Sequence, residues 1–258
     1  MPSLLSTTSE DPAHPDIEYE PLAVNPTDQI ASPDMGHEES LVKAEGRGGD
    51  TFASLAAVVS LGIFVVSTWT IILSRGLSSL GWFFWHPLLQ SSSIALFTYG
   101  IMTLQPTSHP KTKAAGLVRH QLAMFFLGVP AITLGTLAMV FNKYLHGAEH
   151  FTTWHGTFGI LSVTWMVMQV ALGGGSVWFD GRLLGGNPKA KMIWKYHRLS
   201  GYLLFPTFLF TAHLGGGWST WMSENSPYVV RLLAYTVSPI VLFTAILVRV
   251  RTSKMRFL

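Results

Sequence analysis

After residue 50 the apolar residues fall into six long runs, approximately 51–74, 85–104, 119–144, 153–178, 196–216 and 229–248. Short polar connections separate them. Each run is about the 20 residues that an α-helix needs to cross a hydrocarbon core of roughly 30 Å. A soluble chain of 258 residues hides one or two such stretches, but six in succession leave too little polar sequence to cover them. The pattern predicts an all-α membrane protein with six transmembrane helices.

The polar remainder divides the chain further. Residues 1–50 are rich in Pro, Ser, Thr and acidic side chains and show no apolar periodicity, which predicts a disordered acidic tail. The transmembrane domain is expected over 51–250, followed by a short basic tail at 251–258. The tail lacks the basic start and apolar run of a signal peptide, so the first span is expected to act as the targeting signal.

Charge assigns the sides. The formal net charge of +3 hides a tail of −9 and a membrane portion of +12, because 11 of the 14 acidic residues precede residue 51. Twelve bases lie in the second and fourth connections and after the sixth span, including Lys111, Lys113, Arg119, Lys189, Lys191, Lys195 and Arg198. Only Arg75, Lys143 and Arg231 lie on the other side. The positive-inside rule then puts both termini in the cytoplasm. Trp82, Trp85, Trp154, Trp218 and Trp221 are expected near the outer interface, with Trp178 and Trp194 near the inner one. No nucleic-acid partner is expected, and the lipid bilayer is the obligatory one.

With no cysteine, disulfides, thiolate-held zinc, Fe–S clusters and covalently attached haem are excluded for this chain. Beyond residue 50 the only carboxylates are Glu149, Asp180 and Glu224, all near span ends, which argues against a carboxylate proton relay or a cation-coupled transport site. Histidine is the one ionisable residue plentiful inside the membrane portion. His86, His120, His155 and His197 each fall near the start of a separate run, the second to the fifth.

A single intramembrane histidine is explained by helix packing. Four at corresponding positions form a pattern. If the spans alternate in direction, His86 and His155 share the outer side and His120 and His197 the inner side. The two pairs would then stand roughly 15–20 Å apart along the normal, at 1.5 Å of rise per residue. Two neutral imidazoles on facing helices suit a six-coordinate b-type haem, so one haem is expected at each pair, two per chain. No catalytic side chain is expected beyond these iron ligands. Gly159 and Gly201, each four residues after a histidine, would leave room for a porphyrin edge.

The residues around these histidines resemble the cytochrome b561 family over about 50–250. The matching stretches are Trp85-His86-Pro87, Arg119-His120, the run from His150 through Trp154-His155-Gly156 to Gly159, and Tyr196-His197-Arg198-Leu199-Ser200-Gly201. The resemblance implies a central four-helix bundle of spans 2–5 holding two haem b groups in the pairing given above. It implies one-electron transfer from cytosolic ascorbate to monodehydroascorbate or a ferric chelate on the other side. An endomembrane or vacuolar location and a homodimer are family-level expectations.

Substrate residues follow from charge. Lys111, Lys113 and Arg119 are candidates for attracting the ascorbate anion, although the positive-inside rule alone also places bases there. His150, beside His146 and Glu149, is the candidate for contacting an outer ferric chelate. Where related sequences often carry an aromatic-His pair, this chain has Phe141-Asn142, which leaves the outer acceptor open. Two other classes remain: a di-haem carrier serving a protein partner, and a haem-free transporter or scaffold.

Overall fold

The computed structural model describes residues 48–104 and 110–250, without the side chains of Pro110, Lys111 and Asn187. The expected tail at 251–258, and that at 1–50 apart from residues 48–50, lie outside that description. Among the described residues there are six helical rods and no strand. We number them α1 (Asp50–Arg75), α2 (Trp85–Met102), α3, α4 (Trp154–Val177), α5 (Asn187–Trp218) and α6. α3 runs from Pro110–Gln121 through a wider π turn at Leu122–Gly128 into Val129–Leu145. α6 has the same construction, with Tyr228–Leu232, a π turn at Leu233–Val237 and Ser238–Arg249.

Local sequence explains the starts and stops. Gly49, at φ 88, leads into α1, and Gly76, at φ 76, closes it by donating its N–H to the Ile72 carbonyl at 3.2 Å. The Thr153 hydroxyl opens α4 by accepting the Gly156 N–H at 3.2 Å. Pro87 occupies the first turn of α2, where a missing N–H costs little.

Four segments, Asp50–Arg75, Thr112–Leu145, Trp154–Leu184 and Tyr228–Arg249, are long and apolar enough to cross a membrane. α2 and α5 fall short because of their polar residues, among them His86, Gln90 and Ser91 in α2 and Ser200, Thr207, Thr211 and His213 in α5. These polar residues serve the interior of the bundle.

Two expectations from hydropathy are revised. α3 and α5 begin at Pro110 and Asn187, about nine residues before their apolar runs. His86 and His155 are the second residues of their helices, but His120 and His197 lie about three turns inside theirs. Hydropathy registers what surrounds a residue and not its backbone, so solvated helical turns escape it. Trp221 packs on Phe83, ring centres 5.0 Å apart, while Trp82, Trp85, Trp154 and Trp218 are exposed.

Packing is inverted relative to a soluble protein. Large apolar residues such as Val66, Leu122, Phe126, Leu134 and Ile240 are exposed, while Ser54, Ser91, Ser93, Thr98 and Ser162 are almost fully buried. The molecule is a helical membrane bundle: lipid accepts the apolar outside, and small residues let the backbones approach inside. Buried hydroxyls bond carbonyls of their own helix, as Thr98 does to Ile94 at 2.8 Å. α2 packs antiparallel on α3, α4 on α5 and α1 on α6. The hairpins α2–α3 and α4–α5 meet at Phe97 and Phe208, whose ring centres are 5.4 Å apart.

α1 and α6 form the flank. Arg249 donates to the Asp50 carbonyl at 3.1 Å at one end. Toward the other, the Thr68 and Tyr235 hydroxyls meet at 3.0 Å, and the Tyr235 ring lies against Gly216 of α5. A Cβ on Gly216 would come within 2.1 Å of that ring. Gly216→Ala should therefore destabilise the bundle by about 1–3 kcal/mol. Gly62→Ala, with nothing within 4 Å of the added carbon, should not. Thermal unfolding of the two variants in detergent measures the difference.

Candidate functional site

The fold brings the four expected histidines together two by two. His86 and His155 have ring centres 5.9 Å apart with planes at 85°. His120 and His197 are 6.3 Å apart at 88°. Each pair joins one helix of the α2–α3 hairpin to one helix of the α4–α5 hairpin, so the pairs are the polar rungs between two halves of the bundle.

A second contact orients each ring. His86 Nδ1 lies 3.0 Å from the Gly135 carbonyl, His120 Nδ1 3.0 Å from the Gly100 carbonyl, and His155 Nδ1 2.9 Å from the Thr211 carbonyl. A carbonyl only accepts, so Nδ1 carries the proton and donates. Nε2 then holds the lone pair. The acceptor in each case lies on the other helix of the same hairpin. At His197 the corresponding main-chain carbonyl, that of Gln169, bears on the ring without completing a hydrogen bond of good geometry to the buried Nδ1.

Glycines make the approaches possible. A Cβ on Gly215 would lie 2.7 Å from the His155 ring, and one on Gly173 would lie 2.6 Å from the His197 ring. Both belong to Leu-Gly-Gly-Gly runs, 172–175 in α4 and 214–217 in α5. Each run begins seventeen residues after the histidine of its own helix, and in antiparallel helices it therefore faces the histidine of the other. This is an internal repeat that composition alone does not reveal. The glycines expected to leave room beside the rings behave differently from one another. Gly159 has only the Thr211 methyl at 3.8 Å, whereas Gly201 faces the Gln169 amide at 2.9 Å.

The spacing between rungs can be read along the helices. His86 and Gly100, one in each rung, are separated by about 21 Å of helix at 1.5 Å per residue. This helix path, measured to the carbonyl that His120 reaches near the far end of α2, is of the same order as the roughly 15–20 Å expected along the membrane normal. The π turn following His120 adds a residue to one helical turn and re-aims the part of α3 that carries Gly135.

The donor set fits one kind of group. A metal held axially by two imidazoles, with bonds of about 2 Å and about 1 Å more to each ring centre, places the centres about 6 Å apart. Both pairs match. Among the described residues no cluster of three or more His, Cys, Asp or Glu is placed to hold a bare ion. Two axial nitrogens therefore suit a metal whose other positions a planar macrocycle fills, as in haem.

The candidate substrate residues are more scattered. Lys113 is exposed and Arg119 partly buried, both on the α3 segment that carries His120. The Lys111 side chain lies outside the described residues. His150 is exposed, its ring 5.8 Å from that of Phe151. Nearby, Lys143 donates to the Glu149 carbonyl, and His146 donates from Nδ1 to the Asn142 carbonyl at 2.7 Å. His213 is fully used: it donates from Nδ1 to the Tyr235 carbonyl and accepts the Trp218 indole N–H on Nε2, both at 2.9 Å. It has no nitrogen left for a metal.

Sequence reasoning missed the glycine seats and Gln169, which donates to the His197 carbonyl. The repeated triple glycine within apolar runs was the available signal. A contrast tests this geometry. Thr211→Val keeps the main-chain carbonyl that holds His155 and removes a hydroxyl that donates to the Thr207 carbonyl of its own helix at 2.7 Å and lies 3.5 Å from that of Ser162, a loss of about 1.5 kcal/mol. Gly215→Val must displace the ring and should cost more, with both read by unfolding in detergent.

Comparison with known proteins points to one family. The profile described as eukaryotic cytochrome b561 matches residues 85–223, the part that contains all four histidines. The bovine (Bos taurus) protein named transmembrane reductase CYB561D2 is 33% identical over 178 residues, 63% of this chain and 76% of that protein. The human (Homo sapiens) protein of that name is 34% identical over 158 residues, 58% and 66% of the two chains.

Proposed function

This chain belongs to the cytochrome b561 family, and from that premise we propose that it is a transmembrane reductase carrying electrons from cytosolic ascorbate to an acceptor on the opposite face. The acceptor is monodehydroascorbate or a ferric chelate, the latter making the chain a ferric reductase. His86 with His155, and His120 with His197, are the axial ligands of two haem b groups. The observation that carries this reading is the pair of imidazole rungs, each at the spacing of an axial imidazole–metal–imidazole unit.

Haem b, when bound, supplies a reversible one-electron iron couple. The chain supplies everything around it. The Nδ1–H bonds to Gly135, Gly100 and Thr211 fix the tautomer and turn three Nε2 lone pairs toward the rung. With two imidazoles taken up by one haem, the group would supply electron transfer in preference to oxygen chemistry. Gly173 and Gly215 let the rings sit between closely packed helices.

Charge supports the direction. Lys111, Lys113 and Arg119 lie on the α3 segment leading to His120, where bases raise the local concentration of an anionic donor. With both termini cytoplasmic, this is the cytosolic face. An electron moving outward through an inside-negative potential gains about 2.3 kcal/mol per 100 mV. His150 stands with the His86–His155 end and is the candidate contact for the acceptor. An endomembrane or vacuolar location agrees with this sense of transfer.

The deciding measurement is the visible spectrum of the purified protein with its haem content. Two b-type haems per chain are expected, and none, or one, would sink the proposal. His86→Ala and His120→Ala should each remove a different haem. Reduction by ascorbate should saturate with concentration; a slow, unsaturable reaction would point to a carrier serving a protein partner. Lys113→Ala combined with Arg119→Ala should raise the ascorbate concentration for half-maximal rate several-fold, and raised salt should shrink that difference.

A further inference from the structure

The two rungs differ in one respect. Three ligand histidines donate Nδ1–H to a main-chain carbonyl, while His197 has no partner at that atom. Beside it, on the facing helix, Gln169 is also incompletely satisfied. Its Nε2 donates to the His197 carbonyl, yet its buried Oε1 has no hydrogen-bond partner. One residue lacks an acceptor and the other lacks a donor, and a hydrogen bond already joins them.

Their surroundings limit the alternatives. Gly201, one turn after His197, holds the Gln169 amide close, and Gly173, one turn after Gln169, holds the His197 ring close. The two residues are thus clasped from both sides by positions without side chains. The next rung of the same interface is Trp165 donating to Ser200 at 2.8 Å, which fixes the register of α4 on α5.

We propose that Gln169 is the positioning residue of the His120–His197 site: Nε2 holds the His197 main chain, and Oε1 is the acceptor for His197 Nδ1–H. This rests on the haem reading above. A side chain thereby does at one ligand what backbone carbonyls do at the other three. An acceptor at Nδ1 makes an imidazole a stronger electron donor and stabilises the oxidised metal. Three ligands have that property fixed by the backbone, so substitution cannot remove it. At His197 it is open to sequence, and the potential of one site can change without the other.

The competing acceptor is the main-chain carbonyl of Gln169 itself, which faces the ring without reaching hydrogen-bond geometry. It survives any side-chain substitution, and that separates the two cases. The experiment is a redox titration of the full-length protein, followed by its visible spectrum, for wild type, Gln169→Leu and Gln169→Glu. Both variants should keep two haems. Gln169→Leu should move the midpoint of one haem upward and Gln169→Glu should move the same midpoint downward, with the other haem unmoved. The shift should disappear in a His120→Ala background, where only the outer haem remains.

Two haems with neither midpoint moved would overturn the inference, assign the role to the main-chain carbonyl and leave the functional reading standing. Equal movement of both midpoints, or loss of the same haem from both variants, would reduce Gln169 to a packing residue. Loss of one haem from Gln169→Leu alone, with a lowered midpoint for it in Gln169→Glu, would support the positioning role. A wild-type protein without haem would remove the functional reading as well.

Discussion

The structure depends on the bond from a histidine Nδ1–H to a carbonyl on the neighbouring antiparallel helix. In lipid such a donor has no water to fall back on, and a buried unsatisfied polar group costs about 1–3 kcal/mol. Each of the three bonds therefore does two jobs. It settles a polar group inside the membrane, and it decides which ring nitrogen is left with a lone pair. Helix register, ring orientation and ligand chemistry are consequences of the same contact. Helices α2 with α3 and α4 with α5 must align so that histidine and carbonyl meet, and once they do, the pairs His86–His155 and His120–His197 face each other across the bundle.

Much of this was legible because the membrane simplifies the reading. Six apolar runs report six rods, and the alternation of chain direction alone pairs the histidines as they are found in space. What sequence could not show was where backbone structure departs from hydropathy. The first turns of α3 and α5 are helical but solvated, so His120 and His197 stand deeper in their helices than the apolar runs suggest. The π turns at Leu122–Gly128 and Leu233–Val237 leave no mark on apolar spacing, yet the second carries Tyr235, whose carbonyl accepts the His213 Nδ1–H bond.

The glycines were the largest loss. A glycine in an apolar helix reads equally as a helix contact, a kink or an empty place beside a ligand. Gly159 and Gly201 drew notice for their spacing from a histidine on the same helix. The glycines that touch the rings, Gly173 and Gly215, sit on the opposite helix, eighteen residues after that helix's own histidine. Local spacing cannot find such partners, because the relation exists only after α4 and α5 have been laid antiparallel. Gln169 was missed for the same reason: its meaning lies in His197, across the interface.

The crossed arrangement of α4 and α5 restricts how this sequence can change over time. Each helix holds the ring of one rung and, nearer its end, the seat for the other rung, with the same number of residues between. One residue inserted into that stretch would lengthen the helix by about 1.5 Å and turn everything beyond it by about 100°. The partner helix would not follow, and ring and seat would part. Lineages carrying this bundle should accept length changes in the connections and at the ends while the interval from His155 to Gly173, and from His197 to Gly215, stays constant. The two helices measure each other, and their length is inherited as a pair.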